Sequence, residues 1–309
     1  MDKTPLNGLI ILDKPSGAPS NRVLGRLKHL LGMRGKRGGK AGFLGTLDPL
    51  ATGVLPVFVG KATKLIPIFE GLDKTYRATL MLGRTTDTLD AEGKVTGEAD
   101  IAGIEATAVR EAVLSFEGEM EQLVPAFSAV KIDGRPSYRL ARGGEAVAKR
   151  IRTVRLAGLE VESVALPHAT FRVTCSAGTY VRGLVRDIGE SLGVGAHLTA
   201  LRRLDCGGLF TLENSSTLEQ IERRASLGDF GFVFNPADYL PQFRPFSMDE
   251  AMELYLRDGR TVPLPEVTGD PPPGARAMAL RPCGTLVAIG KVVKFRCGGW
   301  GFQPDRVVV

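Results

Sequence analysis

The chain has 309 residues, of which 43% are hydrophobic and 24% are charged, a composition typical of a globular protein with one large domain and room for a smaller one. Its formal net charge of +6 is a modest excess that is compatible with many partners. No stretch approaches the roughly 20 apolar residues of a membrane helix, and the short apolar run near the N-terminus does not have the form of a signal peptide.

The positions of the cysteines and histidines limit the kinds of metal site and disulfide that the chain can form. The four cysteines lie far apart, none in a CxxC pair, and only three histidines are present: Cys175, Cys206, Cys283, Cys297, His29, His168 and His197. This distribution argues against a zinc site and a disulfide framework, and it fits a reducing compartment. We therefore expect a cytoplasmic protein without a metal site or membrane partner, in which the histidines have no catalytic role.

In chain order, the first predicted elements are a strand and a helix. The apolar run GLIILDKP predicts a short buried strand that ends at Pro15. The following segment, SNRVLGRLKHLLG, predicts a helix that begins at Ser20 as its N-cap and ends at Gly32. Leucine and valine occupy one face of this helix, and the opposite face is basic.

The next segments predict a mixture of strands and helices. TYRATLMLG alternates apolar and polar residues, which predicts a half-buried strand, and VRLAGLEVESVAL with ATFRVTCSAG predicts a pair of strands. IEATAVREAVLSFEG and TYVRGLVRDIGESLG carry apolar residues at helical spacing. Because strands and helices do not alternate regularly, the sequence predicts an α+β fold with a mostly antiparallel sheet flanked by helices.

The sequence changes in character near residue 240. The segment DYLPQFRPF contains prolines and is irregular, as a linker is. After it, Ser247 and Glu250 match a capping box, which predicts a helix, and short runs with strand character follow. We therefore predict a large domain over residues 1–240 and a small β-rich module over residues 245–309.

Two loops concentrate much of the positive charge. One is rich in glycine, and the other lies within the segment of about residues 124–152; the cations that we select from them are Arg34, Lys36, Arg37, Lys40, Arg135, Arg139 and Arg142. Basic loops with glycine and an interleaved aromatic residue suit a phosphate backbone. A solvated charged face is the simpler interpretation of a charge run taken alone.

The segment GTLDPLATG places one carboxylate, Asp48, among small and apolar residues and directly before Pro49. Asp-Pro favours turn initiation, so a turn is the simpler interpretation. A reactive carboxylate on a rigid loop is the alternative. Patterns typical of nucleophilic triads, nucleotide-binding loops and EF-hand calcium sites are absent from the sequence, and they do not decide between these two interpretations.

Five motifs, in order, resemble one family. GTLDPLATGVLPVFVGKATKL resembles the signature loop of the TruB family, the bacterial tRNA pseudouridine synthases that modify uridine 55. The other four motifs are similar to the family's opening strand, lysine-x-tyrosine strand, RNA-gripping insertion and arginine helix, and they lie at residues 11–17, 73–93, 124–144 and 178–204. The fold implied is that of the pseudouridine synthases. The C-terminal module is similar in position and size to a PUA RNA-binding domain.

The resemblance implies a chemistry for these residues. Pseudouridine formation breaks the bond between ribose and N1 of uracil and rejoins the base through C5, with no cofactor required. Asp48 would be the catalytic carboxylate and would attack either the ribose C1′ or the uracil C6. Arg182 would pair with Asp48, and Tyr76 would stack on the target uracil. Tyr180 and Leu201 would line the pocket.

The sequence departs from the family pattern at two positions. Phe43 stands where bacterial members usually carry a histidine close to the flipped nucleotide; phenylalanine can stack on a base but cannot form a hydrogen bond. Pro19 stands where a threonine is common. The resemblance also implies that the T arm of tRNA is the substrate, held by the two basic loops, and that the protein is a monomer without an obligatory protein partner.

Two alternatives remain compatible with the sequence. A guide-RNA-dependent pseudouridine synthase would share the chemistry, although the insertion at residues 124–152 favours autonomous binding of the substrate. A non-catalytic tRNA-binding or tRNA-folding protein would extrude the base without any chemistry. Phe43 is the feature that favours this second alternative.

Overall fold

The computed structural model describes residues 6–33, 39–128, 131–132, 135–137, 143, 149–264, 272, 274–296 and 298–309, and the helices within them flank two β-sheets. Six α-helices lie in this described part: α1 Ser20–Leu30, α2 Ile66–Phe69, α3 Ala106–Leu114, α4 Val181–Ser191, α5 Leu218–Ser226 and α6 Glu250–Arg257. Two short 3₁₀ helices are Gly60–Leu65 and Pro236–Tyr239. Within the described ranges, no helix has the length and apolar character needed to cross a membrane.

The larger sheet has nine strands. They are β1 Gly8–Lys14, β2 Ala41–Phe43, β3 Thr52–Val59, β4 Lys74–Leu82, β7 Gly118–Leu123, β10 Ile151–Ala165, β11 His168–Cys175, β12 Ala196–Cys206 and β13 Phe210–Thr211. Two antiparallel strand pairs among the described residues lie outside it: β5 Arg84–Thr86 with β6 Val95–Glu98, and β8 Lys131–Ile132 with β9 Arg135–Pro136.

The strand order of this sheet is β1-β3-β12-β4-β11-β10-β7, with β2 beside β3 and β13 beside β12. Every neighbouring pair is antiparallel except β3 with β12, which run parallel where Arg202 and Arg203 meet Thr52 and Gly53. The mostly antiparallel α+β fold that the sequence predicts is therefore confirmed. The one parallel contact brings β12 to the end of the Asp48 loop.

Strand β1 is buried on both faces. Ile10 and Leu12 pack in the hydrophobic cluster that contains the apolar faces of α1, α3, α4 and α5, whereas Leu9 and Ile11 pack in a second cluster on the opposite face. A strand that is covered on both sides has no solvent-facing positions for polar residues, so its sequence is a continuous apolar run. This explains why GLIIL does not alternate.

The C-terminal sheet covers the second of these faces. Its strands are β14 Arg244–Ser247, β15 Val262–Pro263, β16 Arg276–Leu280, β17 Leu286–Lys294 and β18 Trp300–Val307, in the order β14-β16-β17-β18-β15. Met278, Ile289 and Val308 pack in the same cluster as Phe58 and Phe210 of the larger sheet. The C-terminal sheet therefore shares a hydrophobic core with the body of the molecule.

The predicted N-cap role of Ser20 is wrong. Helix α1 begins at Ser20 itself, after Pro19, and no side chain caps it. The Ser20 hydroxyl donates a hydrogen bond to the Leu47 carbonyl at 2.7 Å and accepts one from the Leu47 amide at 3.0 Å. A long-range contact thus replaces the expected local one.

The predicted capping box of α6 is also wrong. The cap is Asp249, whose carboxylate accepts a hydrogen bond from the Met252 amide at 2.7 Å, while Ser247 lies at the end of β14. Part of the predicted linker is therefore a strand. Pro245 is tolerated there because β14 lies at the edge of the C-terminal sheet.

Candidate active site

Asp48 opens a tight turn at the start of β3. The Ala51 amide donates a hydrogen bond to the Asp48 carbonyl at 3.1 Å, and Pro49 occupies the second position, where its fixed φ suits the turn. Gly53, which follows, has φ +100°, and a Cβ there would lie 2.1 Å from the Arg203 carbonyl oxygen. Glycine is therefore required where β12 meets this loop. The turn that the Asp-Pro pair predicts is confirmed.

A buried lysine fixes the backbone after Asp48. The Lys14 ammonium donates to the carbonyls of Pro15 at 2.9 Å, Pro49 at 3.2 Å and Ala51 at 2.6 Å. Three donors thus meet three acceptors. Because Lys14 is fully buried, desolvation lowers its pKa to about 8, and the negative charge of Asp48 partly opposes this shift.

Further contacts come from the residues that follow Lys14. The Gly17 amide donates to the Pro49 carbonyl at 2.9 Å, and the Ser16 hydroxyl donates to the Leu50 carbonyl at 3.1 Å. With the two bonds from Ser20, the segment 14–20 binds the backbone on both sides of Asp48. Sequence reasoning took ILDKPSG as a family motif without seeing this role, because the acceptors are carbonyls that any residue supplies.

Buried Arg203 holds the start of the loop. Its Nε donates to the Val54 carbonyl at 2.6 Å, and its Nη2 donates to the carbonyls of Gly45 at 3.0 Å and Leu44 at 3.4 Å. Arg203 lies opposite Tyr76 in the β4–β12 pair. This arginine is a structural tie between the central strands and the Asp48 loop, and sequence reasoning missed it.

Arg182 lies in the first turn of α4, and each of its guanidinium nitrogens has an acceptor. Nε donates to Asp48 Oδ2 at 2.9 Å, Nη1 to the Thr88 carbonyl at 2.6 Å and Nη2 to the Phe127 carbonyl at 2.9 Å. The Arg182 side chain is 6% exposed, whereas that of Asp48 is 38% exposed. The pair therefore combines a partly exposed carboxylate with a buried cation.

A second carboxylate approaches the same arginine. Asp90 Oδ2 lies 3.6 Å from Arg182 Nε, and the Asp90 side chain is only 6% exposed. Its Oδ1 accepts hydrogen bonds from the Thr88 hydroxyl at 2.6 Å and the Glu92 amide at 3.1 Å. The preceding Leu89 has φ +65°, a conformation that a leucine rarely adopts. Sequence reasoning missed Asp90, since its loop has the composition of an ordinary surface loop.

The apolar residues expected in the pocket lie around the Asp48 loop. Tyr76 on β4 and Leu201 on β12 belong to the hydrophobic cluster that also contains Leu47, next to Asp48, and Phe43 on β2 packs against that cluster. Burial raises the pKa of Tyr76 to about 12, and the Arg203 charge partly opposes this shift. Tyr76 is therefore a neutral phenol at physiological pH.

Tyr180 is the N-cap residue of α4, two residues before Arg182, and it is partly buried. The fold thus places Tyr180 and Arg182 on one helix start that faces Asp48. The described part of the chain has no group of three or more histidine, cysteine, aspartate or glutamate side chains arranged to hold a metal ion.

The expected phosphate contacts are only partly described. Lys40 is exposed directly before β2, and its carbonyl accepts a hydrogen bond from the Gly60 amide at 2.7 Å. Arg135 lies in β9, opposite Ile132, with its side chain outside the described part. The other five expected cations lie outside the described residues: Arg34, Lys36, Arg37, Arg139 and Arg142. The RNA contacts of both loops stay predictions.

Comparisons with known proteins identify the family. The model of the TruB family pseudouridylate synthase N-terminal domain matches residues 28–181, and that of the tRNA pseudouridylate synthase B C-terminal domain matches residues 182–229. The chain is 47% identical over 236 residues to a tRNA pseudouridine synthase B from Geobacter sulfurreducens, which covers 76% of each chain. The chain belongs to the TruB family of pseudouridylate synthases.

Two further matches extend over more of this TruB-family chain. A tRNA pseudouridine synthase B from Burkholderia pseudomallei is 45% identical over 272 residues, 88% of this chain and 87% of the relative. A solved H/ACA RNP bound to a substrate RNA containing 2′-deoxyuridine has a chain with a TM-score of 0.69 and 24% identity, covering 98% of this chain and 85% of that one. This likeness shows the shared pseudouridine synthase fold.

Proposed function

We propose that this chain is a stand-alone isomerase that converts uridine 55 in the T arm of tRNA to pseudouridine. The tRNA pseudouridine synthases among its relatives, at 45–48% identity, support tRNA as the substrate. One observation carries the chemistry: the partly exposed Asp48 carboxylate lies 2.9 Å from the Nε of the buried Arg182. The charged, planar guanidinium stabilises the ionised carboxylate and holds it in one orientation.

In this mechanism, the negatively charged Asp48 carboxylate starts the cleavage of the glycosidic bond. The carboxylate forms a bond to either the ribose C1′ or the uracil C6, and the bond between the ribose and N1 breaks. The base turns, C5 bonds to the ribose C1′, and the bond to Asp48 breaks again. In the last step C5 loses its proton, and N1 gains one, so the product is an isomer of the substrate. Both routes require the same ionised Asp48, and both return Asp48 to a free carboxylate at the end of the reaction.

The target base has to leave the stack of the T arm, at a cost of a few kcal/mol. Stacking on Tyr76 offsets part of this cost, and the neutral phenol at a pKa of about 12 lets the ring contact the uracil without adding a negative charge beside Asp48. Leu201 and Tyr180 form apolar walls of the pocket. Phe43 provides a second stacking surface where family members usually have a histidine.

The remaining parts of the proposal concern RNA binding. Residues 1–240 form the catalytic domain, with the insertion at about 124–152 gripping the RNA, and residues 245–309 form a PUA-like RNA-binding module. The two basic loops contact phosphates of the T arm. The chain acts in the cytoplasm as a monomer, without an obligatory protein partner.

Asp48→Asn tests this proposal. The purified variant should bind an unmodified tRNA transcript as the wild type does, while pseudouridine formation falls by at least about 1,000-fold, since the amide is a poor nucleophile. The measurements are single-turnover chemical labelling of pseudouridine and filter binding. Asp100→Asn is the matched control, because Asp100 is an exposed loop carboxylate whose oxygen accepts a backbone amide bond that asparagine preserves.

Five results would each contradict a part of the proposal. Substantial product from Asp48→Asn would remove Asp48 from the chemistry. A wild-type protein that binds tRNA but forms no product would indicate a tRNA-binding or tRNA-folding protein, whereas product only in the presence of a guide RNA would indicate the guide-dependent class. Product at a uridine other than 55, or failure on an isolated T-arm hairpin, would contradict the site specificity.

A further inference from the structure

Gln122 occupies an unusual position in β7. Side chains of this edge strand alternate: Glu119 and Glu121 are exposed, while Met120 and Gln122 point inward. Gln122 is 1% exposed, so its amide has no access to water. A buried amide without partners is costly, and a glutamine here needs both an acceptor and a donor within the protein.

Both partners of Gln122 come from one residue. The Tyr180 amide donates to Gln122 Oε1 at 2.8 Å, and Gln122 Nε2 donates to the Tyr180 carbonyl at 3.1 Å. Tyr180 is the N-cap of α4, and its carbonyl also accepts the first helical bond, from the Leu184 amide at 3.1 Å. The side-chain amide of Gln122 therefore binds the backbone amide and carbonyl of the N-cap residue of α4.

The same segment contacts Arg182, the arginine that binds Asp48. Phe127, five residues after Gln122, accepts a hydrogen bond from Arg182 Nη2 at 2.9 Å. The chain from Gln122 to Phe127 thus binds the backbone of Tyr180 at one end and the guanidinium of Arg182 at the other. A shift of the first turn of α4 would move the guanidinium away from Asp48 and from the Phe127 carbonyl together.

We propose that Gln122 is a positioning residue for the isomerisation: its amide fixes the first turn of α4 and so holds the Arg182 guanidinium against Asp48, without touching the reacting atoms. This inference rests on the proposed function of the Asp48 site. An error in placement of about 1 Å at a reacting group can cost about 100-fold in rate, so a residue remote from the base can affect turnover strongly.

Gly183 offers an independent way to disturb the same amide. A Cβ on Gly183 would lie 3.1 Å from both Cδ and Nε2 of Gln122, which is tighter than an ordinary van der Waals contact. Gly183 lies within α4 and has no positive φ, so alanine suits its backbone. Gly183→Ala should therefore act on the site through Gln122 rather than through helix strain.

The first experiment replaces Gln122 by methionine, which has a similar length and no amide. We expect the single-turnover rate of pseudouridine formation to fall about tenfold to 100-fold, with tRNA affinity unchanged. Gln220→Met is the matched control, because the Gln220 Oε1 also accepts an N-cap amide bond, from Thr217 at 2.8 Å, but in α5, which carries no expected site residue. A wild-type rate for Gln122→Met, or equal losses of rate and affinity, would overturn the proposal.

The second experiment is a double-mutant cycle. Gly183→Ala should slow the reaction in the wild-type background, but it should have little effect when Gln122 is already alanine, because the methyl group then meets no amide. The same loss of rate in both backgrounds would show that Gly183 acts without Gln122, which contradicts the proposal.

Hydrogen exchange separates this inference from the proposed function. Peptides spanning residues 178–186 should exchange faster in Gln122→Met than in the wild type, with exchange elsewhere unchanged. This readout is independent of catalysis, so it tests the hold of Gln122 on α4 even if the wild-type protein forms no pseudouridine. Unchanged exchange in these peptides would refute that hold, whereas absent wild-type activity would refute the proposed function.

Discussion

Two ionic clusters of the molecule have opposite compositions. In the active-site cluster, the single cation Arg182 serves two carboxylates, with Asp48 at 2.9 Å and Asp90 at 3.6 Å. In the C-terminal region, the single carboxylate of Glu253 serves two cations, Arg257 and Arg281, each at 2.7 Å. Each cluster joins one helix to a distant part of the chain: Arg182 of α4 binds two loop residues, whereas Glu253 and Arg257 of α6 are joined to Arg281.

The comparison shows that the number of cations per carboxylate determines how far the charge of the carboxylate is neutralised. Hydrogen bonds from Arg281 and Arg257 lower the pKa of Glu253 to about 2, and its side chain is 13% exposed. Glu253 is thus fully occupied by its partners. Asp48 shares its cation with Asp90 and is 38% exposed, so its charge remains available to a substrate. An ion pair by itself therefore does not mark a functional site, and the proposal for Asp48 rests on its partial exposure as well.

Among the changes that compare the two clusters, the largest effect is expected when the active-site cluster is broken with its charge conserved. Arg182→Lys keeps a cation, but a compact ammonium cannot bind Asp48 and the carbonyls of Thr88 and Phe127 in one plane. We expect the single-turnover rate to fall about 100-fold with tRNA affinity unchanged. Arg257→Lys, in the C-terminal cluster, is the control and should leave the rate intact. Equal losses of rate and affinity would identify Arg182 as a phosphate contact.

Removing the second carboxylate makes the active-site cluster a simple pair. Asp90→Asn keeps an oxygen that can accept from the Thr88 hydroxyl and the Glu92 amide but loses the charge beside Arg182. We expect the rate to fall about tenfold, equivalent to about 1.4 kcal/mol, because the guanidinium loses one of the groups that orient it. Single-turnover kinetics measure the effect. An unchanged rate would show that the two-to-one ratio has no part in catalysis.

A substitution of Lys14 tests whether its hydrogen bonds to the loop backbone keep Asp48 in place. Lys14→Met removes the ammonium donor from the carbonyls of Pro15, Pro49 and Ala51, while the Gly17 amide still donates to the Pro49 carbonyl. We expect a fall in rate of about tenfold or less, since a lost hydrogen bond is worth about 1 kcal/mol. Retention of the full rate would show that segment 14–20 holds the loop without Lys14.

The lowered pKa of Lys14 predicts that the free energy of unfolding depends on pH. In the folded protein this pKa is about 8, below the ordinary 10.5, so the unfolded chain retains the proton to higher pH. The free energy of unfolding should therefore gain a contribution as pH rises from 8 to 10.5. Chemical denaturation across this range should show a larger rise in the wild type than in Lys14→Met.

The smallest effect on activity is expected in the C-terminal cluster. Glu253→Gln should leave the rate unchanged and lower the Tm at neutral pH, because the folded state then loses a carboxylate bound by two arginines. Since the pKa of Glu253 falls from 4.5 to about 2 on folding, this stabilisation is present above pH 4.5 and is lost as pH falls towards 2. Thermal unfolding should show the wild-type and variant curves converging over that interval. A pH-independent difference would argue against the ion pairs as its cause.

Much of the fold could be predicted, because local periodicity records which side of an element is buried. The alternation in β4 and the helical spacing in α4 predict their buried faces correctly. The helix starts were harder, since a serine near a helix favours a cap only if nothing more distant competes for it. At Ser20, two hydrogen bonds to Leu47 in the buried loop replaced that cap.

The candidate site divides in the same way. Asp-Pro with flanking glycines predicts the turn at Asp48 from local chemistry alone, but the pairing with Arg182 spans 134 residues and came only from the family resemblance. Lys14, Arg203 and Gln122 were missed because their partners are backbone groups. A carbonyl or amide carries no signature of the residue that supplies it, so these contacts leave no pattern in the sequence.

By itself, the sequence of this protein determined where many of its strands and helices lie and the turn that carries Asp48, because each depends on neighbours within a few residues. The irregular order of these elements then predicted the α+β class. Only the tertiary structure decided which cation supports Asp48, that Asp90 shares it, and that Gln122 closes on Tyr180. The physical reason is that these contacts form only when distant segments pack and exclude water. The free energy of that packing depends on the residues of the whole hydrophobic core.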